Sequence, residues 1–353
     1  MNTLEDRIVA FTKLGDFLGQ FNNRSIEKND EVAHNALFFD GFRHQIELAG
    51  QHNGWFTKEN VLFACQSWSQ ALSEQHLKQW TDAYSFNGTS NKKVAIVMAG
   101  NIPLVGFHDF ISVLMSGHSV LVKLSSNDKH LLPYLAKYLQ SVAPYFEGRI
   151  TFTEEKLEGF DAVIATGSDN TARYFDYYFG GYPNIIRKNR NSIAVLTGEE
   201  SKEELEALGE DVFRYFGLGC RNVSKIFVPH DYDFNAFFGG MYPKRDIINN
   251  AKYANNYDYN KAVYLMSLFE FQENGFLMLK EDISYASPIA SIFYEHYDSQ
   301  DALKKKIDRD IDHIQCIVAN GFLEHEVKFG ETQSPKLWDY ADGVDTIKFL
   351  TNL

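Results

Sequence analysis

The chain is 353 residues long, 44% hydrophobic and 23% charged, which is material for one large or two medium hydrophobic cores and excludes a disordered tail or linker. A formal net charge of -13, with no basic stripe to offset it, would repel a phosphate backbone and argues against any nucleic-acid partner. Cys65, Cys220 and Cys316 are odd in number and far apart, which suits neither a disulfide framework nor a metal site with paired ligands; no metal is expected, and a reducing compartment is.

The N-terminus shows no basic stretch followed by an apolar core, and no later apolar run approaches the roughly 20 residues that span a bilayer. A cytoplasmic protein without a membrane span is the expectation. From Arg7 to about Tyr84 apolar residues recur at helical spacing, as in Ile8, Phe11, Leu14, Phe17 and Phe21, and again in Val61, Cys65, Trp68 and Leu72. The period then changes. Val94 to Gly100 is a short continuous apolar run, the pattern of a strand buried on both faces, and Ser119–Val122, Ala162–Ala165 and Ser192–Leu196 repeat it. Helical patterns at Val105–Met115 and Asp128–Val142 lie between, so the spacing predicts an α/β chain with a parallel sheet covered by helices on both sides. A helix from about Lys202 to Tyr215, a strand at Lys225–Pro229, helices through a tyrosine- and asparagine-rich stretch to Glu270 and a strand at Ile289–Phe293 continue the alternation. Two α/β lobes, divided near Arg187 to Asn191, are predicted.

Four places carry chemistry. Gly100-Asn101-Ile102-Pro103 sits where a buried strand meets a helix, and an asparagine there can offer its amide to an oxyanion, although Asn-X-Pro is also an ordinary turn. Lys123 ends the second run ahead of Leu124-Ser125-Ser126-Asn127, where a lysine can donate to a ribose and the serines can cap a helix. Thr166-Gly167-Ser168 ends the third run before a helical stretch, placing donors at a helix N-terminus as a pyrophosphate requires. Gly217-Leu218-Gly219-Cys220-Arg221-Asn222 gives a thiol access through its glycines and a neighbouring cation. Cysteine is more often a small buried hydrophobe, and Cys65 and Cys316 fit that reading.

Taken in order, these four pieces resemble the aldehyde dehydrogenase superfamily, from roughly Asn91 to the C-terminus. Ser287-Pro288-Ile289-Ala290 and Tyr297–Ala302 look like that superfamily's Gly-Pro-Val strand and trailing helix start. Phe329-Gly330-Glu331-Thr332-Gln333-Ser334-Pro335 and Asp339–Thr346 look like the end of LuxC-like acyl-CoA reductases. The resemblance implies an aldehyde dehydrogenase-like α/β fold of two Rossmann-like lobes with an active-site crevice between them. It implies residues 1–90 as a helical segment on the cofactor lobe, 91–187 as the NAD(P)-binding lobe, 188–325 as the catalytic lobe and 326–353 as a tail returning to the cofactor lobe or a subunit interface. Cys220 would be the nucleophile and Asn101 the oxyanion donor, with Lys123, Ser125, Ser126, Thr166, Gly167 and Ser168 on the cofactor. A homo-oligomer is implied as well.

Two departures refine the activity. Hydrolytic members carry a glutamate before the strand that corresponds to Ser192–Leu196, whereas Asn184–Arg190 here contains no carboxylate, as expected if the acyl group exchanges with coenzyme A rather than water. Where NAD-preferring members place a glutamate after the lysine, Ser126 stands, which removes repulsion against a 2′-phosphate and favours NADP(H) over NAD(H). The superfamily's Glu-X-Phe-Gly-Pro is replaced by Ser284-Tyr285-Ala286-Ser287-Pro288. The expected activity is NADPH-dependent reduction of a fatty acyl-CoA to the aldehyde through a cysteine thioester. An acyl-phosphate reductase of the glutamyl-phosphate type, with Arg187, Lys188 and Arg190 on the phosphate, and a non-catalytic binding protein of the same fold are the alternatives.

Overall fold

The apolar spacing that begins at Ile8 folds as α1 (Leu4–Gly19), opened by a capping box in which the Thr3 hydroxyl accepts from the Asp6 N–H and the Asp6 carboxylate accepts from the Thr3 N–H. The computed structural model describes residues 3–86, 91–167 and 169–353. Phe11, Leu14, Phe17 and Leu18 of α1 are fully buried. Three more helices follow, α2 (Asn35–His52), α3 (Lys58–Ala71) and α4 (Glu74–Thr81).

An alternating stretch comes next: β1 (Lys93–Val97), α5 (Phe107–Met115), β2 (Ser119–Lys123), α6 (Leu131–Val142), β3 (Ile150–Thr153), β4 (Ala162–Thr166), α7 (Asp169–Phe179) and β5 (Asn184–Arg187). Their sheet is wholly parallel in the order β3-β2-β1-β4-β5, with Ile96 of β1 opposite Val122 on one side and Ile164 on the other. This is the strand order of a dinucleotide-binding sheet, and it reverses between β1 and β4. Phe17 of α1 stacks on Tyr138 of α6 with centroids 4.2 Å apart, so the helical preface buries its apolar face against the sheet's own helices.

The chain divides into two compact units, residues 1–188 with 336–353, and residues 189–335. The second begins with β6 (Asn191–Val195), α8 (Lys202–Phe213), β7 (Val223–Val228), α9 (Phe234–Met241) and α10 (Ala251–Met266). It continues with β8 (Phe271–Glu273), β9 (Met278–Glu281), β10 (Ser291–His296), α11 (Gln300–Asp310) and β11 (Ile314–Val318). Its sheet runs β11-β6-β7-β10-β9-β8, parallel throughout except for the antiparallel edge strand β8. The last helix, α12 (Thr346–Thr351), returns to the first unit, where the Leu350 carbonyl lies 2.9 Å from Nε2 of the buried His118.

Three of the boundaries that differ from the periodicity have a visible local cause. The helix expected from Asp128 starts at Leu131, because the Asp128 carboxylate turns back to accept the Leu104 N–H at 3.1 Å. The strand expected at Ile289–Phe293 starts at Ser291, because Ala290 has a φ of 63° and the Ser291 N–H closes a turn on the Pro288 carbonyl. The helix expected to reach Tyr215 stops at Phe213, since Tyr215 and Phe216 are left-handed. The aromatic-rich stretch from 174 to 182 is divided between packed and exposed rings. Phe175 and Phe179 pack with Phe160, while Tyr174, Tyr177 and Tyr178 are exposed.

Candidate active site

In the first unit the loops that follow β1, β2 and β4 all leave the carboxyl edge of the sheet, at the point where strand order reverses. Gly100 lies so close to the loop after β2 that a Cβ would come within 2.6 Å of the Ser125 Cβ, so only glycine lets the two loops meet. Asn101, next in the chain, is exposed, and Leu104 holds a φ of 57° with its N–H on Asp128. Burial pushes the Asp128 carboxyl up to about 6, partly offset by that N–H. Lys123 ends β2 and donates to the Glu155 carbonyl at 3.0 Å. Ser125 Oγ accepts from the Asn127 N–H at 3.2 Å, and the carbonyl of exposed Ser126 lies 2.7 Å from His52 Nε2.

Thr166 ends β4 opposite Arg187, and the Gly167 N–H reaches the Arg187 carbonyl at 3.4 Å. A Cβ on Gly167 would press to 2.9 Å from the Phe175 ring and 3.0 Å from Thr171, so glycine allows α7 to pack close behind the strand end. Ser168 lies outside the described residues. The structure therefore brings Asn101, Ser125, Ser126, Thr166 and Gly167 to one edge of one sheet, with Lys123 at the end of its strand.

Arg187 itself is buried. It donates to Asp109 at 2.7 Å, to Thr346 Oγ1 at 3.0 Å and to the Ala341 carbonyl at 2.8 Å. Arg190 donates to the carbonyls of Ile311 and Ile314.

Cys220 stands in the second unit and is exposed, whereas Cys65 and Cys316 are buried. The turn that carries it is strained and braced. Tyr215, Phe216 and Gly217 are successively left-handed, with φ of 55°, 60° and 75°, and each non-glycine there costs about 1–3 kcal/mol unless its surroundings hold it. Asn222 supplies much of the restraint: its Nδ2 donates to the carbonyls of Asp211 and Arg214 at 2.9 and 2.8 Å, and its Oδ1 accepts the Gly219 N–H at 2.8 Å. Ser192 Oγ donates to the Cys220 carbonyl at 2.9 Å, and Arg221 Nε donates to the Thr332 carbonyl at 2.6 Å.

Sequence reasoning missed Ser192, Asp211, Asn222 and Thr332. Thr332 belongs to a stretch that the resemblance had marked, and Asn222 is two residues from the cysteine; nothing local distinguishes Ser192 or Asp211. The 284–288 segment is tied by the Ser224 hydroxyl, which donates to the Tyr285 carbonyl at 2.8 Å, and by the Tyr285 hydroxyl on Asp310.

Two parallel-sheet α/β units, the first with a dinucleotide-binding strand order, define an aldehyde dehydrogenase-like fold. The NAD+ complex of an aldehyde dehydrogenase from Bacillus cereus aligns with a TM-score of 0.60 at 12% identity, covering 90% of this chain and 72% of that one. Aldehyde dehydrogenase 21 from Physcomitrella patens, in complex with the reaction product succinate, aligns with a TM-score of 0.65 at 10% identity over 99% of this chain and 84% of that one. An indole-3-acetaldehyde dehydrogenase from P. syringae, in complex with NAD+, aligns at 0.62 and 11% identity over 90% and 72% of the two chains. No curated relative matches the sequence. The family model for acyl-CoA reductase (LuxC) matches residues 70–236, a span that contains Asn101, Lys123, Thr166, Gly167 and Cys220. The match to that model over residues 70–236, together with the aldehyde dehydrogenase-like fold, indicates an oxidoreductase acting on aldehyde or acyl groups. Among the described residues no helix is long and apolar enough to cross a membrane.

Proposed function

We propose that this protein reduces a fatty acyl-CoA to its aldehyde, with NADPH as the preferred reductant and Cys220 as the acyl carrier. The observation that carries the reading is that Cys220, alone of the three cysteines, is exposed, and it stands on a turn restrained at Gly219, Cys220 and Arg221. The sulfur would attack the thioester carbonyl, expelling the CoA thiolate and leaving an acyl-Cys220 thioester. Asn101 is assigned as side-chain donor to the oxyanion. Bound NADPH would supply the hydride that takes the acyl group to the aldehyde, and collapse onto product would free the sulfur.

The absence of a carboxylate from Asn184–Arg190 supports coenzyme A over water as acyl partner. The first unit would hold the cofactor, with Lys123, Ser125 and Ser126 toward the adenosine side and Thr166, Gly167 and Ser168 toward the pyrophosphate. The second would carry the nucleophile. A homo-oligomer in the cytoplasm completes the proposal. The acyl-phosphate alternative is weakened, because Arg187 is buried on Asp109 and Arg190 is spent on backbone carbonyls, leaving Lys188 of the three cations it needs.

The test is NADPH oxidation by the purified protein with palmitoyl-CoA, a shorter acyl-CoA and an acyl phosphate. Turnover with acyl-CoA that vanishes in Cys220→Ala is expected. Oxidation that survives in that variant, or that runs faster with the acyl phosphate, would overturn the reading.

A further inference from the structure

The stretch Phe329–Pro335 is used by no step of the proposed chemistry, yet it is bound into the second unit through one fully buried carboxylate. Asp211, at the end of α8, accepts the Gly330 N–H at 2.6 Å, the Thr332 N–H at 2.9 Å and the Thr332 hydroxyl at 2.8 Å. Thr332, itself fully buried, turns its carbonyl to the Arg221 guanidinium at 2.6 Å. The Asp211 backbone carbonyl meanwhile receives the side chain of Asn222, whose other end holds the Gly219 N–H. Asp211 thus touches the cysteine turn by two routes: through Thr332 to Arg221, and through Asn222 to Gly219. Gly330 has a φ of 85°, and a Cβ there would lie 3.1 Å from the Ala207 Cβ, so the segment is seated closely on α8.

We propose that Asp211 and Thr332 form a latch that positions the Cys220 turn, fixing Arg221 and the backbone on either side of the sulfur while touching neither substrate nor cofactor. The role rests on the reading of Cys220 as nucleophile, and it makes Asp211 and Thr332 positioning residues. The physical reason for such a device is the left-handed run immediately before the cysteine. A turn that local preferences disfavour keeps one conformation only where distant groups over-determine it. A buried carboxylate with three donors does this with little freedom to rearrange, because each donor it lost would leave a charge unsolvated.

The test uses the full chain and two readouts, steady-state reduction of palmitoyl-CoA by NADPH and the rate at which iodoacetamide alkylates Cys220. Thr332→Val removes one donor to Asp211 and keeps the backbone contacts, Thr332→Ser restores the hydroxyl, and Asp211→Asn alters all three. For Thr332→Val we expect kcat to fall about 10–100-fold with the KM for NADPH unchanged, and the alkylation rate to change by a similar factor. Thr332→Ser should recover most of both. Thermal melting selects variants that stay folded; if Asp211→Asn does not, the threonine pair decides alone. Wild-type alkylation and kcat in a folded Thr332→Val protein would overturn the latch, as would a Thr332→Ser protein as impaired as the valine. Reductase activity that persists in Cys220→Ala would instead overturn the nucleophile assignment, and the alkylation rates would still report on the latch.

Discussion

Burial separates the three thiols before any chemistry is considered. Cys65 is fully enclosed, and desolvation pushes its thiol up to about 12, while Cys316 is buried in β11 and Cys220 is exposed. Iodoacetamide applied to the native protein near neutral pH is therefore expected to modify Cys220 alone, as read by peptide mass mapping; early modification of Cys65 would contradict the burial argument. Asn101 is judged by turnover. If its amide holds the oxyanion, Asn101→Ala lowers kcat about 100-fold or more and leaves the KM for acyl-CoA close to normal, whereas a purely structural turn residue would move neither. Asp128 gives a prediction about pH. Its carboxyl titrates at about 6 in the fold against 3.8 as a free side chain, so between those values the folded state binds the extra proton. The corresponding stability is complete below the unfolded value and is lost as pH rises through the folded one, by about 3 kcal/mol in all. His108, whose imidazole burial keeps neutral to lower pH, works in the opposite sense, so the quantity to measure is the difference between wild type and Asp128→Asn. That difference in urea stability should shrink or reverse between about pH 4 and pH 7, and a constant difference would refute it.

At the scale of elements, the buried pair Arg187–Asp109 joins β5 to α5, and the same guanidinium reaches Thr346 at the start of α12. Breaking such a pair from one side leaves an uncompensated charge, so Arg187→Met is expected to cost about 3–5 kcal/mol in chemical denaturation. The companion Asp109→Leu in the same chain should return much of that loss, since two apolar groups strand no charge. The pair also shows what kind of element the sequence conceals. Val94–Val97 and Ala162–Ala165 are strands buried on both faces and read as such from unbroken apolar runs. Asn184–Arg187 and Met278–Glu281 are strands as well, but each spends an inward position on a cation, Arg187 on Asp109 and Lys280 on Asp282. Lys225, fully buried within β7, is held the same way by Glu295 at 2.7 Å. A cation in a sequence reads as a solvated group, and only coordinates show the carboxylate that allows it inside. The cysteine turn divides similarly. Its glycines and its thiol were visible in six consecutive letters, while Asp211 and Thr332 are ordinary residues of a helix and a distant segment that only the fold sets together.

For the whole molecule the decisive connection is the return of residues 336–353 to the first unit after the chain has built the second. Leu337, Ile347 and Leu350 are buried there, and burying each such side chain stabilises by about 1.5–3 kcal/mol. Polar groups close around them: Trp80 Nε1 donates to the Tyr340 hydroxyl at 2.7 Å, Tyr84 donates to Asp345 at 2.9 Å, and His108 and His118 reach the Leu337 and Leu350 carbonyls. Removing the segment would expose the apolar surface and take the Leu350 carbonyl from His118 and the Ala341 carbonyl and Thr346 hydroxyl from Arg187, at a cost comparable with the 5–15 kcal/mol that holds a typical domain. A chain ended at Pro335 should therefore lose hydrogen-exchange protection in β1, β2 and β4. The sheet of residues 189–335 should keep its protection, because every hydrogen bond of its ladder and of the Asp211–Thr332 latch is internal to that unit. Equal loss of protection in both units would show that their stabilities are not separable, and unchanged protection in β1 would show that the returning segment contributes little to the sheet it covers.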